Sequence, residues 1–280
     1  MKLYGEQIMR RISLIIIISS LFLTGCLSHS RQGVSSNLVN YLYPDGKRPD
    51  HSSDQIPHLK LPLRVGIAFV PETRRDIEFS LTEAEKHDLL AKVAAQFKGR
   101  AYIESLDIIP ELYLRQGKGF NTLSQIAALH DLDVMALVSY DQVSITEENS
   151  LSLAYWTIVG AFIVPGETTQ SQTFVDTAVF DVATKKLLFR APGANSQDSS
   201  HNALGQIKKK RRLQMKTFNV AVEQMTKNLD KELSEFRARV KEEKIATVSY
   251  KKGYSGGGSS SWFGLIFLLL LVRFSRQKNS

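Results

Sequence analysis

Gly253-Tyr254-Ser255-Gly256-Gly257 has the outward form of the Gly-x-Ser-x-Gly elbow, which presents a nucleophilic serine on a strand-to-helix turn. Such a serine needs an Asp or Glu and then a His later in the chain. No Asp, Glu or His follows Ser255, so the match belongs to a glycine-serine spacer and not to a hydrolase. Gly117-Lys118-Gly119 opens a dinucleotide fingerprint, but Thr122 stands where its third glycine belongs, and the stretch reads as a plain loop before a helix. His87 and His130 fall on helical patterns with no nucleophile or metal partner at useful spacing, and His51 and His58 read as solvated side chains of a polar stretch. The acidic pairs Asp131/Asp133 and Glu147/Glu148 flank strand ends as loop carboxylates, and a two-carboxylate glycosidase would need the fold to bring such groups together. The expectation is a chain with no catalytic, cofactor-binding or metal-binding residues, no cofactor and no enzymatic activity.

One side chain is set up for modification by its neighbours. Cys26 is the sole cysteine, and it follows a positive start (Lys2, Arg10, Arg11) and a short apolar run over residues 12–22, the layout of a secretory signal. Its thiol is nucleophilic enough to accept a diacylglyceryl group. The run Leu23-Thr24-Gly25-Cys26 resembles the bacterial lipobox Leu-x-Gly-Cys. The resemblance implies that the lipoprotein-processing machinery lipidates Cys26, that Cys26 then heads the mature chain, and that the lipid holds it to a membrane. Leu27 stands where the family's inner-membrane retention aspartate would be, which implies sorting to the outer membrane. With no second cysteine, no disulfide can form within the chain.

The other end carries a second address. Ser255-Gly256-Gly257-Gly258-Ser259-Ser260-Ser261 leads into an apolar run over residues 262–272 and then Arg273, Arg276 and Lys278. A bilayer core needs about 20 apolar residues in a helix. This run is about half that, so a span must borrow glycines and serines, with Gly costing roughly 1 kcal/mol relative to Ala in a helix. The outer end of such a helix unwinds readily, and its basic end stays cytoplasmic. The tail resembles the GlyGly C-terminal sorting signal of rhombosortase substrates. That implies cleavage at Gly256, Gly257 and Gly258 by a rhomboid-family intramembrane protease, the alternative being an ordinary C-terminal anchor.

These addresses account for much of the charge. The formal net charge is +8, of which residues 1–25 hold +2 and residues 256–280 hold +3. A body of about +3 gives no reason to expect nucleic acid as a partner. The densest block, Lys208-Lys209-Lys210-Arg211-Arg212, reads either as a solvated helix face or loop or as a contact with anionic glycolipid headgroups or an acidic partner, at about 1 kcal/mol per cation near an anionic surface.

Between the addresses, residues 26–60 are rich in Ser, Asn, Pro, Asp and His and are expected to form a flexible tether with little regular structure. Residues 61–245 carry the fold. Leu63-Arg64-Val65-Gly66-Ile67-Ala68-Phe69-Val70, stopped by Pro71, predicts a buried strand. Ser80-Leu81-Thr82-Glu83 predicts a capping box opening a helix with Leu90, Val93, Ala94 and Phe97 on one face. A strand over residues 101–108, a helix over 121–130 and an apolar strand over 132–140 follow. Residues 173–182 and 187–190 predict a hairpin turning at Lys185, with a polar loop over 192–202. A long amphipathic helix over 205–244 keeps Met215, Phe218, Val222, Met225, Leu229, Leu233, Phe236 and Val240 in one stripe. The apolar segment 154–166 fits an inner strand best, with a partner-binding or membrane-dipping hairpin as the other readings. Residues 246–261 read as a spacer holding the processing site, and 262–280 as a short transmembrane helix with a basic tail.

The fold class expected is α/β, with α+β character in the second half: about five to six strands flanked by helices, with a long C-terminal amphipathic helix. The element order and the segment Thr177-Ala178-Val179-Phe180-Asp181-Val182-Ala183-Thr184-Lys185-Lys186-Leu187-Leu188-Phe189 resemble the domain of curli-secretion-channel and penicillin-binding-protein-activator lipoproteins, although Lys185 replaces their turn glycine. The whole arrangement is similar to the rhombotarget lipoproteins. The functional expectation is a non-enzymatic module binding an envelope protein partner. The alternative is a subunit of an oligomeric envelope secretion channel.

Overall fold

The computed structural model describes residues 29–46, 55–74, 80–148, 165–202 and 206–254, together with Ser13. The signal segment, Cys26, nearly all of 154–166 and the tail from Ser255 onward lie outside the described residues. The chain divides into two compact units. One comprises residues 1–32, 144–170 and 198–210, and the other comprises residues 33–143, 171–197 and 211–280.

The larger unit is organised on β3 (Leu63–Phe69), which pairs in parallel with β5 (Ile103–Ile108) on one side and with β6 (Val134–Glu148) on the other. Ile67 and Phe69 enter one apolar cluster, while Ala68 and Val70 enter a second. On β6, Val134, Ala136 and Val138 likewise alternate with Met135 and Leu137. Both faces are therefore dry, which is why these strands read as unbroken apolar runs. The first face is covered by α2 (Glu83–Phe97) and α5 (Gln206–Glu242), the second by α1 (Leu38–Leu42) and α4 (Gly119–Leu129). Right-handed crossovers leaving β3 and β5 in opposite directions require this split. Each large side chain buried there contributes about 1.5–3 kcal/mol.

Among the described residues, seven strands form one sheet and two form another. That exceeds the five or six expected, because the stretch read as a tether contributes strands. β1 (His29–Ser36) pairs with the short β4 (Glu72–Arg74), and β2 (His58–Leu61) pairs in parallel with β9 (Thr247–Tyr250). Val34, Tyr41 and Leu42 are buried, so residues 29–46 belong to the fold and are not a tether. The expected spacer likewise starts inside the fold. Thr247 N donates to Pro57 O, Lys251 N donates to Leu61 O, and the His58 ring meets Thr247 Oγ1 at 2.8 Å and Ser249 Oγ at 2.9 Å. The helix cap is also displaced: Thr82, not Ser80, is the N-cap, and it closes a capping box with Glu85.

The hairpin is far longer than its apolar pattern suggests. β7 (Glu167–Asp181) pairs with β6 and with β8 (Leu187–His201), so the expected polar loop after Pro192 is strand. The pairs Gln142–Thr173 and Thr146–Thr169 step in opposite senses along β6 and β7, as antiparallel strands require. In the larger unit the inward residues here are polar. Gln142 Nε2 donates to Thr173 Oγ1 at 2.7 Å, and Thr217 Oγ1 lies 3.0 Å from Thr173 Oγ1 and 3.3 Å from Ser171 Oγ. Phe174, next to Thr173, points outward and is 42% exposed.

At the β7–β8 turn, Asp181 accepts hydrogen bonds from Thr184 N (2.8 Å) and Thr184 Oγ1 (2.5 Å), and Lys185 takes φ +60°. A left-handed conformation at a residue with a Cβ is disfavoured, and glycine relieves it. Lys185→Gly is expected to raise stability by about 0.5 kcal/mol, the relief being partly offset by a freer unfolded chain. The midpoint of urea unfolding checks this, and an unchanged or lower midpoint would contradict the turn geometry.

Candidate functional site

In an open α/β sheet, ligands and conserved polar chemistry gather outside the carboxyl ends of the strands where the winding reverses. Here that place lies beyond β3, β5 and β6. Pro71 stops β3 and delivers Glu72, while Pro110 follows β5 and delivers Glu111 at the start of α3 (Glu111–Arg115). Tyr140 lies on β6 two residues past its last pairing with β3, and the capping box of α2 sets Lys86 in the helix's first turn.

These four side chains meet. Lys86 Nζ donates to Glu72 Oε1 at 3.1 Å and forms a short ion pair with Glu111 Oε2. Tyr140 OH donates to Glu72 Oε1 at 2.6 Å, and Ser80 Oγ to Glu72 Oε2 at 2.9 Å. Arg115 Nε donates to Glu111 Oε1 at 2.6 Å, and the same guanidinium reaches Glu83 at 2.8 Å. Lys86 and Glu111 are each only 2% exposed. Charges this deep are tolerated only when paired and fully hydrogen-bonded.

Burial pushes the Glu72 carboxyl up, but the Tyr140 hydroxyl and the Lys86 ammonium outweigh it and hold it below the ordinary carboxylate range. The Tyr140 phenol is pushed up by burial and by the adjacent Glu72 charge. Both groups are thus moved away from neutrality, where a general acid or base would sit. With every carboxylate oxygen of Glu72 and Glu111 occupied, the arrangement ties three strand ends to a helix start. A cavity of about 310 Å³ opens beside it, walled by Phe69, Leu90, Ile108 and Pro110 with the Lys86–Glu111 pair on one side.

The residues singled out in the sequence are dispersed. Cys26, Gly256, Gly257 and Gly258 lie outside the described residues. The basic block opens α5, where Lys210 lies 3.9 Å from Glu167, Arg211 pairs with Glu85 at 2.5 Å and Lys209 donates to Asn202 at 3.0 Å, while Lys208 and Arg212 are exposed. His87 is exposed beside Asp88, and His130 sits edge-on to Tyr113 with Asp107 at 3.8 Å. Asp133 is no free loop carboxylate: it accepts Arg64 N at 2.9 Å and pairs with the Arg64 guanidinium at 3.2 Å, while Asp131 stays exposed. Lys118 is the N-cap of α4 with no side-chain cap bond, and Thr122 Oγ1 donates back to its carbonyl. In the smaller unit, His201 is buried, with Thr169 Oγ1 at 3.0 Å and Glu167 O at 3.2 Å, and burial with the nearby Lys210 and Lys209 lowers its pKa. Among the described residues, no group of three or more His, Cys, Asp or Glu is placed to hold a metal, and no helix is long and apolar enough to cross a membrane.

The buried cluster went unseen in the sequence, although one signal was present. The dipeptide Pro-Glu follows both β3 and β5, as Pro71-Glu72 and Pro110-Glu111.

No protein-family pattern matches the chain, and no curated protein matches it. Solved structures that are similar in part include two PelC assemblies. A point-substituted PelC dodecamer from Paraburkholderia phytofirmans shares 14% identity over 60% of this chain and 93% of its own, with a TM-score of 0.25. A second PelC dodecamer from that organism shares 10% over 69% of this chain and 96% of its own, with a TM-score of 0.23. At such scores the likeness carries no argument about this chain. What the molecule itself defines is a mixed α/β protein with both sheet faces covered and a long C-terminal helix.

Proposed function

We propose that the chain is a cell-envelope lipoprotein, acylated at Cys26 and cut at Gly256–Gly258 by a rhomboid-type protease, whose folded body works by binding an envelope protein partner. The observation that carries the reading is the pairing of Leu23-Thr24-Gly25-Cys26 at one end with the glycine motif, short apolar run and basic terminus at the other. β9 and Lys251 are fastened to Leu61, Glu104 and Asp133, and the glycine motif follows within a few residues in the sequence. Leu27 favours the outer membrane as the destination, with the uncut precursor held in the inner membrane by both ends.

Intact-mass measurement of the chain from strains with and without the rhomboid protease tests the processing. The expected result is loss of the tail near Gly256–Gly258 in the first strain only, with acyl mass on the Cys26 end in both. An unchanged C-terminus sinks the sorting reading, and an unmodified Cys26 sinks the lipoprotein reading. Native mass of the processed protein then shows whether the body works alone or as one subunit of a ring.

A further inference from the structure

We propose that the end of the fold at which β1 begins docks on anionic phospholipid headgroups, with Ile207, Lys208, Lys209 and Arg212 at the start of α5 making the contact. The inference rests on acylation of Cys26. Only Leu27 and Ser28 separate Cys26 from His29, where β1 begins. Three residue steps of at most about 3.5 Å hold the folded chain within roughly 10 Å of the acylated residue. A tether of some thirty residues would leave the body free in the aqueous space, whereas this one presses it to the leaflet holding its acyl chains.

The first residues of β1 belong to the compact unit that also contains residues 198–210. The exposed side chains of that unit include Arg31, Ile207, Lys208 and Lys209. Ile207, 64% exposed, supplies an apolar side chain among the cations.

Charge identifies the occupant. Farther along α5, two outward lysines are matched one turn away, Lys227 with Glu223 at 2.8 Å and Lys231 with Glu235 at 3.6 Å, while Lys241 near its end is exposed. The opening turns differ. Lys208, Lys209, Arg212 and Lys216 are exposed, none meets a carboxylate among the described residues, and the first turn contains no acid. Lys208, Arg212 and Lys216 recur at intervals of four and so share one helix face. Such crowding disfavours the helix by itself, and the cations also stand at the end of the macrodipole that repels them. Lys210 and Arg211, with Glu167 and Glu85 beside them, are the members of the block that serve the fold. Anionic headgroups supply the missing counter-charge, and each cation near such a surface favours contact by a factor of roughly five.

The test uses the full chain with a benzophenone side chain in place of Ile207, reconstituted into vesicles of phosphatidylcholine alone or with phosphatidylglycerol and irradiated. Lipid adducts at position 207 are expected in both. They should be several-fold more abundant with phosphatidylglycerol, and cut about fivefold or more by Lys208→Gln/Lys209→Gln/Arg212→Gln in a protein of unchanged circular dichroism. Absence of adducts, or equal labelling in the two vesicles, with acyl mass confirmed on Cys26 overturns the docking surface. Absence of adducts with Cys26 unmodified overturns the lipoprotein reading, and the docking surface falls with it.

Discussion

Lys86→Met is expected to destabilise the protein by about 3–5 kcal/mol, because it leaves Glu72 and Glu111 buried without their shared cation. That is a large part of the 5–15 kcal/mol that holds a domain folded. Methionine fills nearly the same space as the lysine stem, so the loss reports charge and not a cavity. The companion variant Lys86→Met/Glu72→Gln/Glu111→Gln removes the two buried carboxylate charges that Lys86 had neutralised and is expected to regain most of the loss. Urea unfolding followed by far-ultraviolet circular dichroism measures both. A single-variant loss under about 1 kcal/mol, or a companion no more stable than the single variant, would show that the cluster does not hold the strand ends.

Glu72 and two carboxylates outside this network set an acid limit. The carboxyls of Glu72, Glu85 and Asp133 are all held below their ordinary values. In each case burial raises the pKa but is outweighed, by Tyr140 and Lys86 at Glu72, by Thr82 and Arg211 at Glu85, and by Arg64 at Asp133. A group whose folded pKa is depressed stabilises the protein above its unfolded pKa and loses that contribution as pH falls through the folded value. The unfolding midpoint should therefore begin to fall as pH drops through about 6.5, where His201 with its lowered pKa is protonated first in the unfolded chain, and fall further below about pH 4 as the three carboxylates lose their contribution.

The second large effect is expected at Gly193. A Cβ there would lie 2.2 Å from Ala221 O and 2.5 Å from Met225 N, both backbone atoms of α5. No side-chain rotation relieves such a contact, so β8 and α5 must separate where Phe218, Ala221, Val222 and Met225 pack. Overpacking of this kind costs typically 1–3 kcal/mol, and Gly193→Ala is expected at or above the upper end, about 3 kcal/mol. Ser196→Ala, an exposed position on the same strand, should stay within about 0.5 kcal/mol of the parent. Equal midpoints for the two variants would place the close approach elsewhere.

Much of the architecture was legible because periodicity is local. The run Val65–Val70 shows that both sides of its strand are dry, and the stripe from Met215 to Val240 is that of a helix lying on a sheet. Residues 29–46 and 192–201 misled because their polarity is that of loops. In the larger unit the hydroxyls of Ser171, Thr173 and Thr217 face inward and satisfy one another, so the inward face of β7 carries polar residues while Phe174 points out. Val34 is buried only because β6 and β4 lie beside its strand. A hydropathy pattern records the side chain and not the partner that makes its burial tolerable.

The sequence by itself carries the grounds for the two proposed terminal addresses, because a lipobox-like run and a glycine-apolar-basic tail are contiguous within a few residues. It also determined the class of fold, through strands and helices that announce themselves by spacing. Only the tertiary structure brought Glu72, Lys86, Glu111 and Tyr140 together from four separate elements, and only it divided the basic block into Arg211, paired with Glu85, and Lys208 and Arg212, left to solvent. The physical reason is range. A peptide motif is specified by covalent neighbours, whereas the compensation of a buried charge is specified by whichever strand ends the sheet delivers to the same few ångströms.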